Sequence, residues 1–530
     1  MRRYKRTTVV LLLLLSVVPF LLNGQFVEMR DGRFQLAERE FRFTGTNAYY
    51  LLHEAARGNT GIIDEVYSAA RDADMTVIRT WAFYDDPDSR NALQSEPGVY
   101  SERVFRALDY LIYKAAEYNL RLILVLTNNW EDYGGSMQYV RWSPTATSRD
   151  DFYTDYYCRQ YYRRYVHDVL TRTNTYTGLQ YKDDPAIMAW ELINEPTSND
   201  ESGRIVRQWI DEMAPHVRSV DPNHLIGVGG GGWDNSFILY ERFLESVPVD
   251  QKRLHWMLNG SRGVSYALNI RSEHIDYASA HVYPDMWNLS LYQTVQWLRN
   301  LQSIAAGEGK PFVLGELGKR ANRKIAFNTV LHALFASGGN GALIWQYPEM
   351  NRHTSGGYAF DGDSDPDAVK VLKNTGILVQ GGEAFEFNVS IFEEKLGLPF
   401  YVIRNGSTSA DVEALWYNVS VSGSDGGQRY TFGKRGTVEL FVRGIFTTPS
   451  EGYVRIKARG DVRKIWVESR IRGQWLLSYS GYVSEYTEIL VPLADLGLND
   501  GHVERLKLFS EEGTEVYISE ISITGSEIQR

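Results

Sequence analysis

Two glutamates stand where chemistry can be done. Glu195 closes the stretch 186–196, Ala-Ile-Met-Ala-Trp-Glu-Leu-Ile-Asn-Glu-Pro, and Glu316 closes the stretch 311–316, Pro-Phe-Val-Leu-Gly-Glu. Each is a short apolar run that ends abruptly in a carboxylate. Such a run behind a proline reads as a fully buried strand. Pro196 cannot donate to a ladder, so the first strand stops near it, and Asn194 and Glu195 fall at its carboxyl end. A carboxylic acid that protonates a leaving oxygen, facing a carboxylate that attacks the carbon being left, is the pair that breaks acetal bonds between sugars. A gap of roughly 5–5.5 Å between the carboxyl groups gives retention, and a wider gap gives inversion. Glu195 alone could also be the first acid of a surface helix, a reading that Pro196 weakens. The second glutamate turns it into half of a pair, and it argues against a protein that binds polysaccharide without cutting it.

The elements that must position this pair are legible as a pattern. Eight short apolar runs cover residues 41–47, 76–81, 121–127, 187–194, 224–229, 277–283, 311–316 and 341–347. Between most of them lie amphipathic stretches, such as Val104-Ala107-Leu108-Leu111-Ile112-Ala115, that keep one apolar helical face. Strands alternating with helices call for a parallel sheet, and eight such units call for a closed (β/α)8 TIM barrel. In such barrels, residues at the carboxyl ends of strands do the chemistry. The rival is an open doubly wound sheet, but Gly229–Gly232 lacks the G-x-G-x-x-G spacing that would favour it. Those glycines are expected to form a flexible loop where backbone approaches a ligand. Residues 26–43 predict a small hairpin, a lid on the barrel floor. From Pro399 onward the chain turns to short alternating strands with turn signals, which predicts an all-β sandwich, jelly-roll-like. Its Trp416, Trp466, Trp475, Tyr479, Tyr482 and Tyr486 form either a sugar platform or the core of that sandwich. The expected division is 1–24 export signal, 25–388 barrel and 389–530 sandwich.

Composition narrows the partners. A net charge of −10 leaves no basic surplus to neutralise phosphates, which excludes a nucleic-acid partner. The chain is rich in aromatics, with 13 Trp and 34 Tyr, which suits stacking on flat ligand faces. Basic residues 1–6 followed by an apolar segment from Val9 to Leu22 read as an export signal, so no membrane contact is expected once it is removed; an uncleaved anchor is the alternative. Cys158 is the only cysteine, so no intrachain disulfide can form, and it is expected to be buried and inert. The alternating acids of 361–367 suggest a calcium loop, but Pro366 stands where that loop needs glycine and no Glu closes it. A helix start there is the better reading, and no metal and no cofactor is expected.

Trp190-Glu-Leu-Ile-Asn194-Glu195-Pro196 together with Phe312-Val-Leu-Gly-Glu316 resembles glycoside hydrolase family 5, a retaining (β/α)8 family. Phe43-Thr-Gly-Thr-Asn47, Val77-Ile-Arg79-Thr-Trp81, Thr127-Asn-Asn129-Trp130 and His281-Val-Tyr283 are most similar to its endo-β-1,4-mannanase branch. The resemblance spans about residues 41–350 and implies that Glu195 is the acid/base and Glu316 the nucleophile. It also implies roles for Arg79, Asn194, His281, Tyr283 and Trp345. Asn194 can bond the 2-OH at the cleavage point, and Arg79 can hold the nucleophile ionised. Tyr283 can orient the nucleophile, His281 can bond the acid/base, and Trp345 can floor the sugar. Taken singly, Arg79 reads as an ion-pair residue and the others as packing residues. Trp81, Asn129, Trp130, Trp233 and Trp287 are expected to touch substrate. Trp142 lies near the same loops, and Trp81 sits closer to the barrel interior. The implied substrate is β-mannan or a related plant polysaccharide. Endoglucanase and exo-mannosidase are the alternatives on the same barrel, and the oligomeric state is not readable. An acid/base also needs a pKa raised relative to the nucleophile's.

Overall fold

A computed structural model describes residues 25–240, 243–244, 256–349 and 355–382, and beyond these the strands between 400 and 525. The export-signal segment therefore lies outside the described residues. So do the side chains of the aromatics named in the C-terminal half.

The first three strands, β1 (Glu28–Arg30), β2 (Arg33–Leu36) and β3 (Arg39–Glu40), form a small antiparallel sheet rather than a single hairpin. The barrel strands are β4 (Phe43–Asn47), β5 (Val77–Trp81), β8 (Arg121–Val125), β9 (Ile187–Glu191), β10 (Leu225–Gly227), β11 (Ala278–Val282), β12 (Phe312–Gly318) and β13 (Gly341–Trp345). A short hairpin, β6 (Gln94–Glu96) and β7 (Val99–Tyr100), intervenes after β5. The eight barrel strands pair in parallel in the order β10-β9-β8-β5-β4-β13-β12-β11. The two ends of that series meet through Asp276. Its N–H donates to Ile226 O at 2.8 Å, and its carboxylate accepts from the Ile226 N–H at 2.7 Å. The result is a nearly closed barrel, as the eight apolar runs predict.

The amphipathic stretches fold where their periodicity puts them. The helix Glu102–Glu117 buries Val104, Leu108, Leu111, Ile112 and Ala115 along one face. Below the strands lies one apolar cluster. Val77, Ile123, Met188, Tyr277, Val313 and Leu343 pack with Val27 and Phe34, so the first sheet does cap the barrel floor. The Phe34 ring lies 5.8 Å from Tyr277, edge to face, and 6.2 Å from Phe43.

Two smaller expectations hold and one is corrected. Cys158 is fully buried, and burial pushes its thiol up to about 12. Asp365 caps the helix Pro366–Gly381 by accepting from the Ala368 N–H, and Asp361 accepts from the N–H groups of Asp363 and Ser364. Those acids are spent on backbone, as a helix start requires. Gly229–Gly232 is the correction. A Cβ at Gly229 (φ +79°) would stand 2.6 Å from Ile193 O and 2.9 Å from Glu191 Oε2, and one at Gly231 would stand 2.9 Å from the Trp233 ring. At Gly229 and Gly231 the missing side chain lets the chain pack on its own neighbours.

The main boundary between two compact units falls after Phe385. In the second unit, ten strands from Phe400–Arg404 to Glu515–Gly525 are joined by antiparallel ladders. The short alternating strands expected after Pro399 are found, for example as Gly452–Gly460 and Glu515–Gly525.

Candidate active site

Arg79 on β5 is the hub of the barrel mouth. It is 1% exposed and spends its donors in four directions. Nε donates to Glu191 Oε2 at 2.7 Å, and Nη1 donates to Glu316 Oε1 at 2.8 Å and Asn47 Oδ1 at 3.1 Å. Nη2 donates to Asn194 Oδ1 at 2.7 Å. A rigid guanidinium fork is what allows one side chain to fix four others.

The backbone aims the carboxylates. On β12 an extra residue interrupts the register. Ala280 pairs with Leu314, but His281 pairs with Glu316, so Gly315 is bulged. Such a bulge re-aims the side chain beside it, and it brings Glu316 opposite His281. A Cβ at Gly315 would lie 3.1 Å from the His281 ring, and one at Gly318 would lie 2.3 Å from the Tyr283 ring. These two glycines make room for the partners on and just after β11. Ladder strand β9 ends at Glu191, earlier than the apolar run suggests. Backbone bonds nevertheless continue: Asn194 N–H donates to Thr127 O, and Glu195 N–H donates to Gly229 O. Glu195 adopts φ +49°, which turns its side chain out of the strand direction.

Around the pair, Tyr283 donates its hydroxyl to Glu316 Oε2. His281 Nδ1 lies 2.8 Å from Glu195 Oε1 and 3.5 Å from Glu316 Oε2. Trp130 Nε1 donates to Glu195 Oε2 at 2.8 Å. Single ligating atoms of Glu195, His281 and Glu316 all lie within 4.8 Å of one another. The carboxylates already accept from Arg79, Tyr283 and Trp130, which is the donor set of a hydrogen-bonded acid pair.

Charge is distributed unevenly. Burial pushes Glu316 above the usual carboxylate range, against the pull of His281 and Arg79. Burial also raises Glu195, but the hydrogen bond and charge of His281 and the Trp130 bond outweigh it, so Glu195 lies below its ordinary value. The expected order, with Glu195 raised relative to Glu316, is therefore not what the protein groups alone produce. Burial first, and then Glu316, push Tyr283 well above the usual phenol value, so it remains a donor.

A cavity of about 500 Å³ opens above the two glutamates, lined by Tyr49, His53, Trp81, Tyr84, Trp130, Tyr133 and Trp345 among others. Tyr49 stacks on Trp345 at 5.4 Å with rings 8° apart and donates to Glu349 at 2.6 Å. This is a ligand-sized cleft walled by aromatics.

Of the residues chosen from sequence, Arg79, Trp81, Trp130, Asn194, Glu195, His281, Tyr283, Glu316 and Trp345 meet here. Three do not. Asn129 is fully buried, and its Oδ1 accepts from the Thr197 N–H and hydroxyl, so it braces the loop behind Glu195. Its neighbour Asn128 lines the cleft instead and accepts from Asn194 Nδ2. Trp233 and Trp287 are 5% and 6% exposed and pack with Trp256; Arg262 lies over the Trp233 and Trp256 rings. They do not line the cavity above the glutamates. Trp142 lines a separate groove with Asp86, Glu131 and Arg141. Sequence reasoning missed Tyr49, His53, Tyr133, Tyr277 and Glu191. Glu191 had left a signal, a charge inside an otherwise apolar run.

A parallel eight-stranded barrel with two carboxylates converging at the carboxyl ends of its strands is the architecture of a glycoside hydrolase. A family model described as GH family 5 beta-mannosidase-like matches residues 24–332, and the chain belongs to that family. It is 38% identical to mannan endo-1,4-beta-mannosidase 7 of Oryza sativa subsp. japonica, over 66% of this chain and 95% of the relative. It is 35% identical to mannan endo-1,4-beta-mannosidase 5 of Solanum lycopersicum, over 66% of this chain and 87% of the relative. Among solved structures, the hyperthermostable endo-1,4-beta-D-mannanase of Thermotoga petrophila is 33% identical with a TM-score of 0.56, over 64% of this chain and all of that one. A second endo-beta-1,4-mannanase structure from Thermotoga petrophila is 27% identical with a TM-score of 0.59, over 92% of this chain and 98% of that one.

Proposed function

We propose that this glycoside hydrolase cuts internal β-1,4-mannosidic bonds of mannan and glucomannan by double displacement. The observation that carries the reading is the carboxylate pair itself. One oxygen of Glu195 and one of Glu316 lie within 4.8 Å of each other, a close approach that supports the short spacing of a retaining pair. Glu195 gives its proton to the glycosidic oxygen as a Glu316 oxygen bonds to the anomeric carbon and the carbon–oxygen bond breaks. Glu195, now a carboxylate, takes a proton from water, whose oxygen displaces Glu316 and regenerates both groups. Arg79, a permanent cation, touches Glu316 and not Glu195, so we hold that Glu316 is the ionised member at the start of the reaction. Asn194, clamped by Arg79 and Asn128, faces the sugar 2-OH. Trp345 and Tyr49 floor the ring at the cleavage point.

The mannan preference is supported by relatives named as endo-mannosidases across 82–98% of their length in rice and tomato. Product analysis on mannan, glucomannan, cellulose and mannohexaose tests it. A mixture of internal-cleavage products from mannan is expected, and absence of mannan cleavage sinks the reading. Release of single mannoses from one end points instead to exo action. The domain reading continues from the sequence: an exported chain with a barrel over 25–388 and a β-sandwich over 389–530. The antiparallel ladders and the Thermotoga match over 92% of the chain support the last part. N-terminal sequencing of the exported protein tests the signal.

A further inference from the structure

Below the reacting pair lies a third carboxylate that the double displacement does not use. Glu191 ends β9 and is fully buried. Its Oε2 accepts from Arg79 Nε at 2.7 Å, and its Oε1 accepts from the Tyr277 hydroxyl at 3.1 Å. The chain keeps room for it, because a Cβ at Gly229 would crowd Glu191 Oε2 at 2.9 Å. Arg79 is thus the single buried cation between two carboxylates, with Glu191 on its Nε edge and Glu316 on its Nη1 edge. A buried ion pair survives only where geometry and added hydrogen bonds offset desolvation, and Glu191 has both.

We propose that Glu191 is a positioning residue for the nucleophile: it takes half of Arg79, fixing the fork on Glu316 and Asn194 and limiting how strongly Arg79 holds the Glu316 carboxylate. This rests on the reading of Glu316 as nucleophile. The logic is electrostatic. If Glu316 had Arg79 to itself, its carboxylate would be held more firmly ionised and would be a weaker base and nucleophile. With the cation shared, Glu316 stays more basic. Burial lowers the proton affinity of Arg79, but Glu191 first and Glu316 second reverse this and raise it above the ordinary guanidinium value, so the shared group stays charged. Among the described residues, the other groups facing Glu316 are His281, Tyr283 and Glu195, and the other side chain bonded to Glu191 is Tyr277. None of them touches both carboxylates as Arg79 does.

The test is Glu191→Gln, which keeps shape and an acceptor but removes the charge. The pH profile of kcat/KM on mannohexaose is read beside kcat, KM and thermal unfolding. The expected result is an acid limb moved by about one pH unit to lower pH, because Glu316 then feels all of Arg79. A kcat at least tenfold lower and KM within threefold of wild type accompany it. Tyr277→Phe removes only the neutral hydrogen bond and should leave the acid limb in place. A folded Glu191→Gln protein with an unmoved acid limb and kcat within threefold of wild type overturns the proposal. Should Glu191→Gln not fold, Glu191→Asp decides. It keeps the charge and shortens the reach, so an unmoved acid limb with kcat at least tenfold lower supports the proposal, and wild-type kcat overturns it. Glu316→Ala, run in parallel, separates the two questions. Undiminished hydrolysis there removes the nucleophile assignment itself, whatever the Glu191 variants do.

Discussion

At the floor of the barrel, Val77, Met188, Tyr277 and Val313 pack with Val27 and Phe34. A few residues further along the same chain segments, Arg79, Glu191, His281 and Glu316 meet at the mouth. Both ends are buried, and they are held by different physics. The floor is apolar, and its stability scales with area and with how well a gap can collapse. The mouth is a closed set of polar partners, in which each group is costly once its neighbour is gone. The comparison teaches that burial alone does not say what a residue does. Partners do.

Four changes break or sharpen that contrast. The largest effect belongs to the mouth: Glu316→Ala should lower kcat on mannohexaose by roughly 10⁴-fold or more. Unfolding should shift as well, by about 1–3 kcal/mol, because Tyr283 and one edge of Arg79 lose their buried acceptor although Arg79 keeps Glu191. A large loss of stability with activity retained would invert the contrast. Next comes the floor. Phe34→Ala should cost about 3–5 kcal/mol of unfolding free energy with kcat unchanged below the unfolding transition, measured by denaturant titration and initial rates. Third, Trp130→Phe deletes one donor to Glu195 and nothing at the floor. Its cost should be about 1.5–3 kcal/mol of transition-state stabilisation. Because burial already pushes Glu195 up and the bonds from His281 and Trp130 hold it down, losing one bond raises the Glu195 pKa. The basic limb of the pH profile should therefore move to higher pH, and a shift to lower pH contradicts this. The smallest effect belongs to neither end. Asp155 caps the helix Tyr156–Leu170 through the Cys158 N–H. Burial pushes its carboxyl up, but bonds from Thr145, the Cys158 backbone and Ser143 outweigh this and hold it at about 2. A depressed carboxylate adds stability above its unfolded pKa and loses it as pH falls through the folded one. Asp155→Ala should therefore cost about 1 kcal/mol at neutral pH, and the gap to wild type should close between about pH 4 and 2. A gap that widens on acidification removes Asp155 as the cap.

Much of the site was legible because barrel chemistry sits where strands end, and strand ends are visible as apolar runs that stop at polar residues. That logic placed Asn194, Glu195 and Glu316 together, and the resemblance to glycoside hydrolase family 5 added Arg79, His281 and Tyr283. It failed in the loops. Asn128 and Asn129 are adjacent and chemically identical, yet one faces the cleft and the other the protein behind Glu195, and only the backbone path separates them. Trp130 reads from sequence as a stacking surface and serves in the structure as a donor to the acid. Trp233 and Trp287 read as sugar platforms and are buried with Trp256 near Arg262, because an aromatic in a long loop finds its own partners.

The sequence by itself determined the number of strands, the helical faces between them, the capped floor and the two carboxylates at strand ends, since periodicity and strand-terminating residues are local properties of a chain. Only the tertiary structure decided which groups share Arg79, how near the carboxylates come, and that the bulge at Gly315 turns Glu316 toward His281. Those are distances between residues more than a hundred positions apart in several cases. They depend on register between neighbouring strands, where one extra residue redirects a side chain.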